Sequence, residues 1–246
     1  MGTAQKLNKT QEGVKRGVTE YTLKNILLPP YFREKYAHLD QFTPIQQKCL
    51  QAGLLEQKSL LACAPTASGK TLIATMAICN TFGKGKAIYL VPLKALGNDK
   101  LREYRHLLAG TPYSVTLSTS DMDSESLYLA KSDLLILTTE KLDSLLRHRL
   151  PWLAEIKTVI IDEIHLLNDS SRGPTLEIIL TLLKTLIKPQ LIGLSATIGN
   201  PQELAQWLEA DLVMDSWRPV ELQKGIHCAG KTEFYGERDR HNPFCE

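Results

Sequence analysis

The stretch Ala64-Pro65-Thr66-Ala67-Ser68-Gly69-Lys70-Thr71 places small residues, a lysine and a hydroxyl in the order needed to hold a polyphosphate. Small side chains let the backbone curl so that successive N–H groups converge on an anion. Lys70 can reach the outer phosphates, and the Thr71 hydroxyl can ligate a magnesium ion that bridges them. The spacing is that of a phosphate loop, GxxxxGK[ST], with Ala64 where the first glycine usually stands. A methyl group is tolerated there if the residue keeps a negative φ. All eight residues, 64 to 71, are therefore expected at a bound nucleotide.

A second cluster is Asp162-Glu163-Ile164-His165, which follows the apolar run Thr158–Ile161. Two adjacent carboxylates at the end of a buried strand are costly unless they meet a cation or water. Asp162 is expected to hold the magnesium with Thr71, directly or through water. Glu163 is expected to orient and deprotonate an attacking water, a general-base role. With Lys70, these form the expected catalytic set. His165 is expected to link this cluster to the next motif, Ser195-Ala196-Thr197.

Such groups need a frame that holds them at one edge. Seven short β-rich runs supply it: Ser59–Cys63, Lys86–Val91, Ser114–Thr119, Asp133–Thr138, Thr158–Asp162, Gln190–Ser195 and Asp211–Met214. Several are apolar without alternation, as in Leu134-Leu135-Ile136-Leu137, which predicts strands buried on both faces. Helical stretches lie between them, among them Lys70–Asn80, Asn98–Leu108, Gly173–Lys184 and Pro201–Leu208. Strand–helix–strand repetition predicts an α/β fold: a mainly parallel sheet of seven strands with helices on both faces. In such a sheet ligands bind at the C-terminal strand ends, where both motifs fall.

Composition narrows the class. The 246 residues are 43% hydrophobic and 23% charged, as in a folded globular chain and unlike a disordered one. The net charge of +2 is too small to argue for or against a nucleic-acid partner. No apolar run approaches the ~18 residues of a membrane span. The five cysteines are odd in number, irregularly spaced and free of CxxC, which fits a reducing cytoplasm. His227 and Cys228 are adjacent and would point to opposite sides of an extended chain, so a zinc site with His241 and Cys245 is not expected. Residues 1–20 read as a flexible lead-in, 21–228 as one nucleotide-binding domain and 229–246 as a linker or tail.

Taken together, the phosphate loop, Asp162-Glu163-Ile164-His165 and Ser195-Ala196-Thr197 resemble superfamily-two DExH-box helicases. Val91-Pro92-Leu93-Lys94-Ala95-Leu96, Thr138-Thr139-Glu140-Lys141, Arg172-Gly173 and Ser216-Trp217-Arg218-Pro219-Val220 are similar to the Ski-two-like branch, especially its archaeal DNA helicases that act at stalled forks. The resemblance implies a RecA-like first motor lobe that uses ATP and magnesium to move along single-stranded nucleic acid, DNA favoured over RNA, with 3′-to-5′ polarity. It implies that Ser195, Ala196 and Thr197 couple nucleotide state to strand binding. It places Pro92, Lys94 and Ala95 in one strand-contact loop and Thr139, Glu140 and Lys141 in another. It assigns Gln46, in Phe42-Thr43-Pro44-Ile45-Gln46, to the adenine. At Thr119-Ser120-Asp121 the chain departs from its relatives, which usually have glycine where Ser120 stands. A second RecA-like lobe, in cis or in trans, is expected to supply the arginine finger and the other half of the ATP cleft. Two other readings stay open, an RNA helicase lobe of the same branch and a stand-alone nucleotide- or nucleic-acid-binding module. A transporter ATPase would need a signature loop ahead of the acidic pair, and a kinase leaves Ser195-Ala196-Thr197 unexplained.

Overall fold

The computed structural model of the chain describes residues 20–119, 126–220, 223, 225–228 and 231–234. The expected lead-in lies outside the described residues up to position 19, as do Ser120, Asp121 and the end of the chain from 235. Seven strands form one sheet: β1 (Leu60–Cys63), β2 (Lys86–Val91), β3 (Val115–Ser118), β4 (Leu134–Thr138), β5 (Ile156–Ile161), β6 (Gln190–Ser195) and β7 (Asp211–Met214). Every pairing in it is parallel, in the order β3-β4-β2-β5-β6-β1-β7. All seven expected strands are present, three of them with the expected bounds.

The strands are apolar on both faces because helices cover both. Side chains alternate across the sheet. Leu60, Ala62, Tyr89, Ile160 and Ile192 pack into one core with α1 (Pro30–Lys35), α2 (Pro44–Gln51), α3 (Lys70–Thr81) and α4 (Lys94–Leu107). Their neighbours Leu61, Cys63, Ile88, Val159, Ile161 and Leu191 pack into a second core on the opposite face. That core includes residues of α5 (Ser126–Leu129), α6 (Thr139–Arg147), α7 (Gly173–Leu182) and α8 (Pro201–Leu208).

Two differences from the expected elements have local causes. Helix α4 begins at Lys94 rather than Asn98. Gly97 does not break it: a Cβ there would lie 2.7 Å from Leu117 Cδ1, so the glycine lets α4 press against β3. A second difference is an antiparallel hairpin, β8 (Gly225–Cys228) and β9 (Lys231–Phe234), with β9 inside the stretch read as linker or tail. Among the described residues no helix is long and apolar enough to cross a membrane.

The edge of the sheet away from the motifs is held by buried polar contacts. Gln190 Nε2 donates to the carbonyls of Leu54 and Lys58 at 2.8 and 2.9 Å, and Thr158 donates to Gln190 Oε1 at 3.1 Å. The Gln190→Leu substitution strands these buried partners and is expected to destabilise the fold by about 3 kcal/mol. Urea unfolding followed by circular dichroism measures it, and a change below about 0.5 kcal/mol would show that the network does not brace the sheet.

Candidate functional site

Since all seven strands run in one direction, their C-terminal ends line one edge of the sheet. The four adjacent strands β1, β6, β5 and β2 lead there into residues 64–71, 195–197, 162–165 and 92–95 in turn. Strand β4, beside β2, leads into Thr139-Glu140-Lys141. Residues far apart in sequence meet because their strands are neighbours.

The loop between β1 and α3 has the backbone of an anion cradle. Ala67 (φ 63°) and Gly69 (φ 93°) lie in the left-handed region, and Ala64 is not among the residues with positive φ. Ala64 N donates to the Ser195 carbonyl at 3.2 Å, which fixes the loop to the end of β6. Lys70 Nζ donates to the carbonyls of Ala64 and Pro65 at 2.7 and 2.8 Å, so the cation sits over the loop. Burial lowers the pKa of Lys70, the charges of Glu163 and Asp162 raise it, and nearby Arg218 lowers it further.

These residues fit a nucleotide phosphate. The Ser68 hydroxyl is buried with no hydrogen-bond partner among the described residues, and the loop leads into the N-terminus of α3, the end of a helix that favours anions. They also fit magnesium, which keeps several waters and takes one or two protein ligands beside phosphate oxygens. Thr71 is exposed on the first turn of α3, and Asp162 is half-buried at the end of β5. Among the described residues no group of three or more His, Cys, Asp or Glu forms a protein-only metal cage.

Gln46, expected at the adenine, is bonded within the protein to both Thr43 and the phosphate loop. Its Oε1 accepts from Thr43 N at 2.9 Å, its Nε2 donates to the Gly69 carbonyl at 2.9 Å, and it is buried. Thr43 Oγ1 donates to the Ser68 carbonyl at 2.8 Å. The start of α2 thus grips the phosphate loop from outside. Thr43 was not singled out from the sequence, although Thr-x-x-Gln before a helix is a capping-box signature that could have shown it. A side chain at position 69 would lie 2.3 Å from Gln46 Nε2, so the grip requires glycine there.

The acidic pair is held from several sides. Asp162 Oδ1 accepts from Glu163 N at 3.1 Å, and Asp162 Oδ2 accepts from the Tyr89 hydroxyl at 2.8 Å. Burial keeps the Tyr89 phenol well above its usual pKa, so it stays a donor. Glu163 takes a left-handed backbone, φ 51°, which is uncommon for a residue with a side chain. Its Oε2 lies 3.3 Å from His165 Nδ1, and the same nitrogen lies 3.5 Å from Ser195 Oγ. His165 therefore stands between Glu163 and Ser195. Ser195 is buried, Ala196 half-buried and Thr197 exposed.

The two expected contact loops open on the same edge. Lys94 and Ala95 are exposed at the N-terminus of α4, and Pro92 is half-buried before it. Thr139 and Glu140 begin α6, whose first turn is capped by Thr138 Oγ1 accepting from Lys141 N at 3.4 Å. Lys141 is withdrawn: its side chain is buried, unlike that of Lys94. Arg172 Nη1 donates to the Pro92 carbonyl at 3.3 Å, and a narrow crevice lined by Pro92, Thr139, Asp162 and Arg172 joins these loops to the acidic pair. Arg172 has no role legible from neighbouring residues, because its partner is a backbone carbonyl eighty positions away.

Residues 43–204 match the model of the DEAD/DEAH box helicase family. The chain is 48% identical over 194 residues to the ATP-dependent DNA helicase Hel308 of Pyrococcus abyssi, covering 78% of this chain and 27% of that one. Among solved structures it is similar to the Mycobacterium smegmatis helicase Lhr bound to single-stranded DNA and AMP-PNP. That likeness has a TM-score of 0.64 and 30% identity, over 78% of this chain and 28% of the other. It also shares its fold with the DUF1998 helicase MrfA bound to DNA, with a TM-score of 0.68 and 24% identity over 77% of this chain and 30% of that one. The chain thus spans about a quarter of the length of its curated relative.

Proposed function

Because this chain belongs to the DEAD/DEAH box helicase family, we propose that it is the first motor lobe of an ATP-dependent DNA helicase, binding magnesium-ATP and single-stranded DNA at one sheet edge. The observation that carries this reading is the continuity of that edge. The phosphate loop is bonded to Ser195, Ser195 lies beside His165, and His165 lies beside Glu163. A change at the phosphates therefore has a path of direct contacts to the acidic pair, whose Asp162 shares a crevice with Pro92 and Thr139 of the strand-binding loops.

In this reading the loop 64–71 holds the phosphates and Lys70 neutralises them. Thr71 and Asp162 would hold magnesium, which would supply positive charge beside the phosphate oxygens. Glu163 accepts the proton of the attacking water. His165, Ser195, Ala196 and Thr197 relay the state of the site. Thr43 and Gln46 shape the loop, with adenine recognition by Gln46 added when nucleotide is bound. Pro92, Lys94, Ala95, Thr139 and Glu140 position strand phosphates through backbone N–H groups, a hydroxyl and helix N-termini, contacts that carry no sequence information. Lys141 supports that loop from inside. Movement is 3′ to 5′ by family resemblance. A second lobe completes the cleft, and an arginine finger from it would add a factor of roughly 10³ or more in rate.

Two binding experiments test this. Calorimetry with ATP, with and without magnesium, is expected to show binding that needs the ion. Fluorescence anisotropy with labelled DNA and RNA strands of one sequence is expected to show DNA bound at least as tightly as RNA, with affinity altered by AMP-PNP. A folded protein that binds no nucleotide would overturn the ATP reading. Tighter binding of RNA would favour the RNA branch.

A further inference from the structure

Tyr89 is the one residue of the run Lys86–Val91 that carries both an apolar body and a hydroxyl, and it is fully buried. In the register of β2 and β5 it pairs with Ile160, two residues before Asp162. Alternation puts Tyr89 and Asp162 on the same face of the sheet, the face covered by α3 and α4. A ring pointing along β5 from this register reaches the carboxylate, and the hydroxyl meets Asp162 Oδ2 at 2.8 Å.

The ring is clamped on its other sides. Lys100 of α4 places its ammonium 5.5 Å from the ring centroid, and Tyr104 of α4 lies 5.9 Å away, tilted. Tyr104 in turn lies 3.2 Å from Thr75 of α3, whose hydroxyl donates to the Thr71 carbonyl at 3.0 Å. The same ring that touches Asp162 therefore packs on the helix that begins at the Lys94 contact loop. It is also tied, through Tyr104, to the turn carrying Thr71.

We propose that Tyr89 is a positioning residue for the magnesium site: its hydroxyl holds one oxygen of Asp162 while the Glu163 N–H holds the other, so that the carboxylate meets the ion in one orientation. This rests on the reading of Asp162 as the magnesium-holding residue. Partners behind a metal-binding carboxylate typically contribute 10- to 100-fold to metal affinity by restricting its rotation. Tyr89 does this from a strand whose end carries Pro92, so displacement of α4 by a bound strand would be felt at Asp162 through the ring.

The test is Tyr89→Phe, which removes the hydroxyl and keeps the ring. A fluorescent ATP analogue is titrated at fixed protein while magnesium chloride is varied, and again in EDTA. The half-saturating magnesium concentration is expected to rise about tenfold, with affinity in EDTA unchanged. Tyr104→Phe, which loses the Thr75 contact and not the Asp162 one, is expected to leave the magnesium dependence unaltered. In an Asp162→Asn background, Tyr89→Phe is expected to add nothing further.

Equal weakening with and without magnesium, or loss of the melting transition, would show a purely structural hydroxyl and overturn the proposal. An unchanged magnesium dependence would overturn it alone, because wild type then still shows the magnesium-dependent binding on which the broader reading rests. Wild-type binding indifferent to magnesium would overturn both.

Discussion

Lys70→Ala is expected to weaken magnesium-ATP binding by about 100-fold or more while leaving the chain folded. The removed ammonium would make charge-assisted hydrogen bonds to the phosphates, each contributing about 1.5–3 kcal/mol. The loss of two corresponds to about two decades in Kd or more. In the structure the ammonium also bonds the Ala64 and Pro65 carbonyls, so the variant loosens the cradle besides losing the charge. Calorimetry reads the affinity and circular dichroism the fold. Unchanged affinity would remove the phosphate-loop assignment. The pKa of Lys70 is lowered, first by burial, and this adds a pH signature. The free site loses its cation at lower pH than an ordinary lysine would, so affinity declines early on the alkaline side. In the folded protein the protonated form is penalised, so the stability contribution of this group rises with pH between its folded and its higher unfolded pKa.

Glu163→Gln is expected to separate binding from turnover when the chain is assayed together with the proposed second lobe. Glutamine preserves the size of the side chain and can keep a hydrogen bond to His165, which lies 3.3 Å from Glu163 Oε2. It cannot accept the proton of the attacking water. A lost general base costs about 10²–10⁴ in rate. Single-turnover hydrolysis is expected to slow by that factor, with nucleotide affinity within about twofold of wild type, a difference of some 0.4 kcal/mol. Turnover at the wild-type rate would show that another group takes the proton. Loss of binding as well would show that Glu163 acts in the ground state.

Much of this site is legible without coordinates. The phosphate loop is a contiguous octapeptide, the acidic pair follows a strand that announces itself by continuous apolar residues, and Ser195 follows another. Short-range patterns of this kind are written in neighbouring residues. Gln46, Lys141 and Tyr89 show where such reading stops. Gln46 is expected at the adenine, and its bond to the Gly69 carbonyl, made across 23 positions, is not written near it. Lys141 has the residue type of a phosphate contact, yet its place on the inner face of α6 buries it. Tyr89 looks like ordinary strand filling, and its importance lies in a bond to a residue on another strand, 73 positions away.

The sequence by itself determined the seven strands, the helices on both faces and the residue types of the loops at their ends. Periodicity of apolar side chains reports burial locally, and catalytic groups must stand at fixed offsets from the turn that aims them. The strand order, β3-β4-β2-β5-β6-β1-β7, was decided only by the tertiary structure. Which strand pairs with which depends on long-range packing of the crossover helices, and no local period encodes it. That order sets β1 beside β6 and β6 beside β5, and so brings Ala64 onto Ser195 and His165 between Ser195 and Glu163.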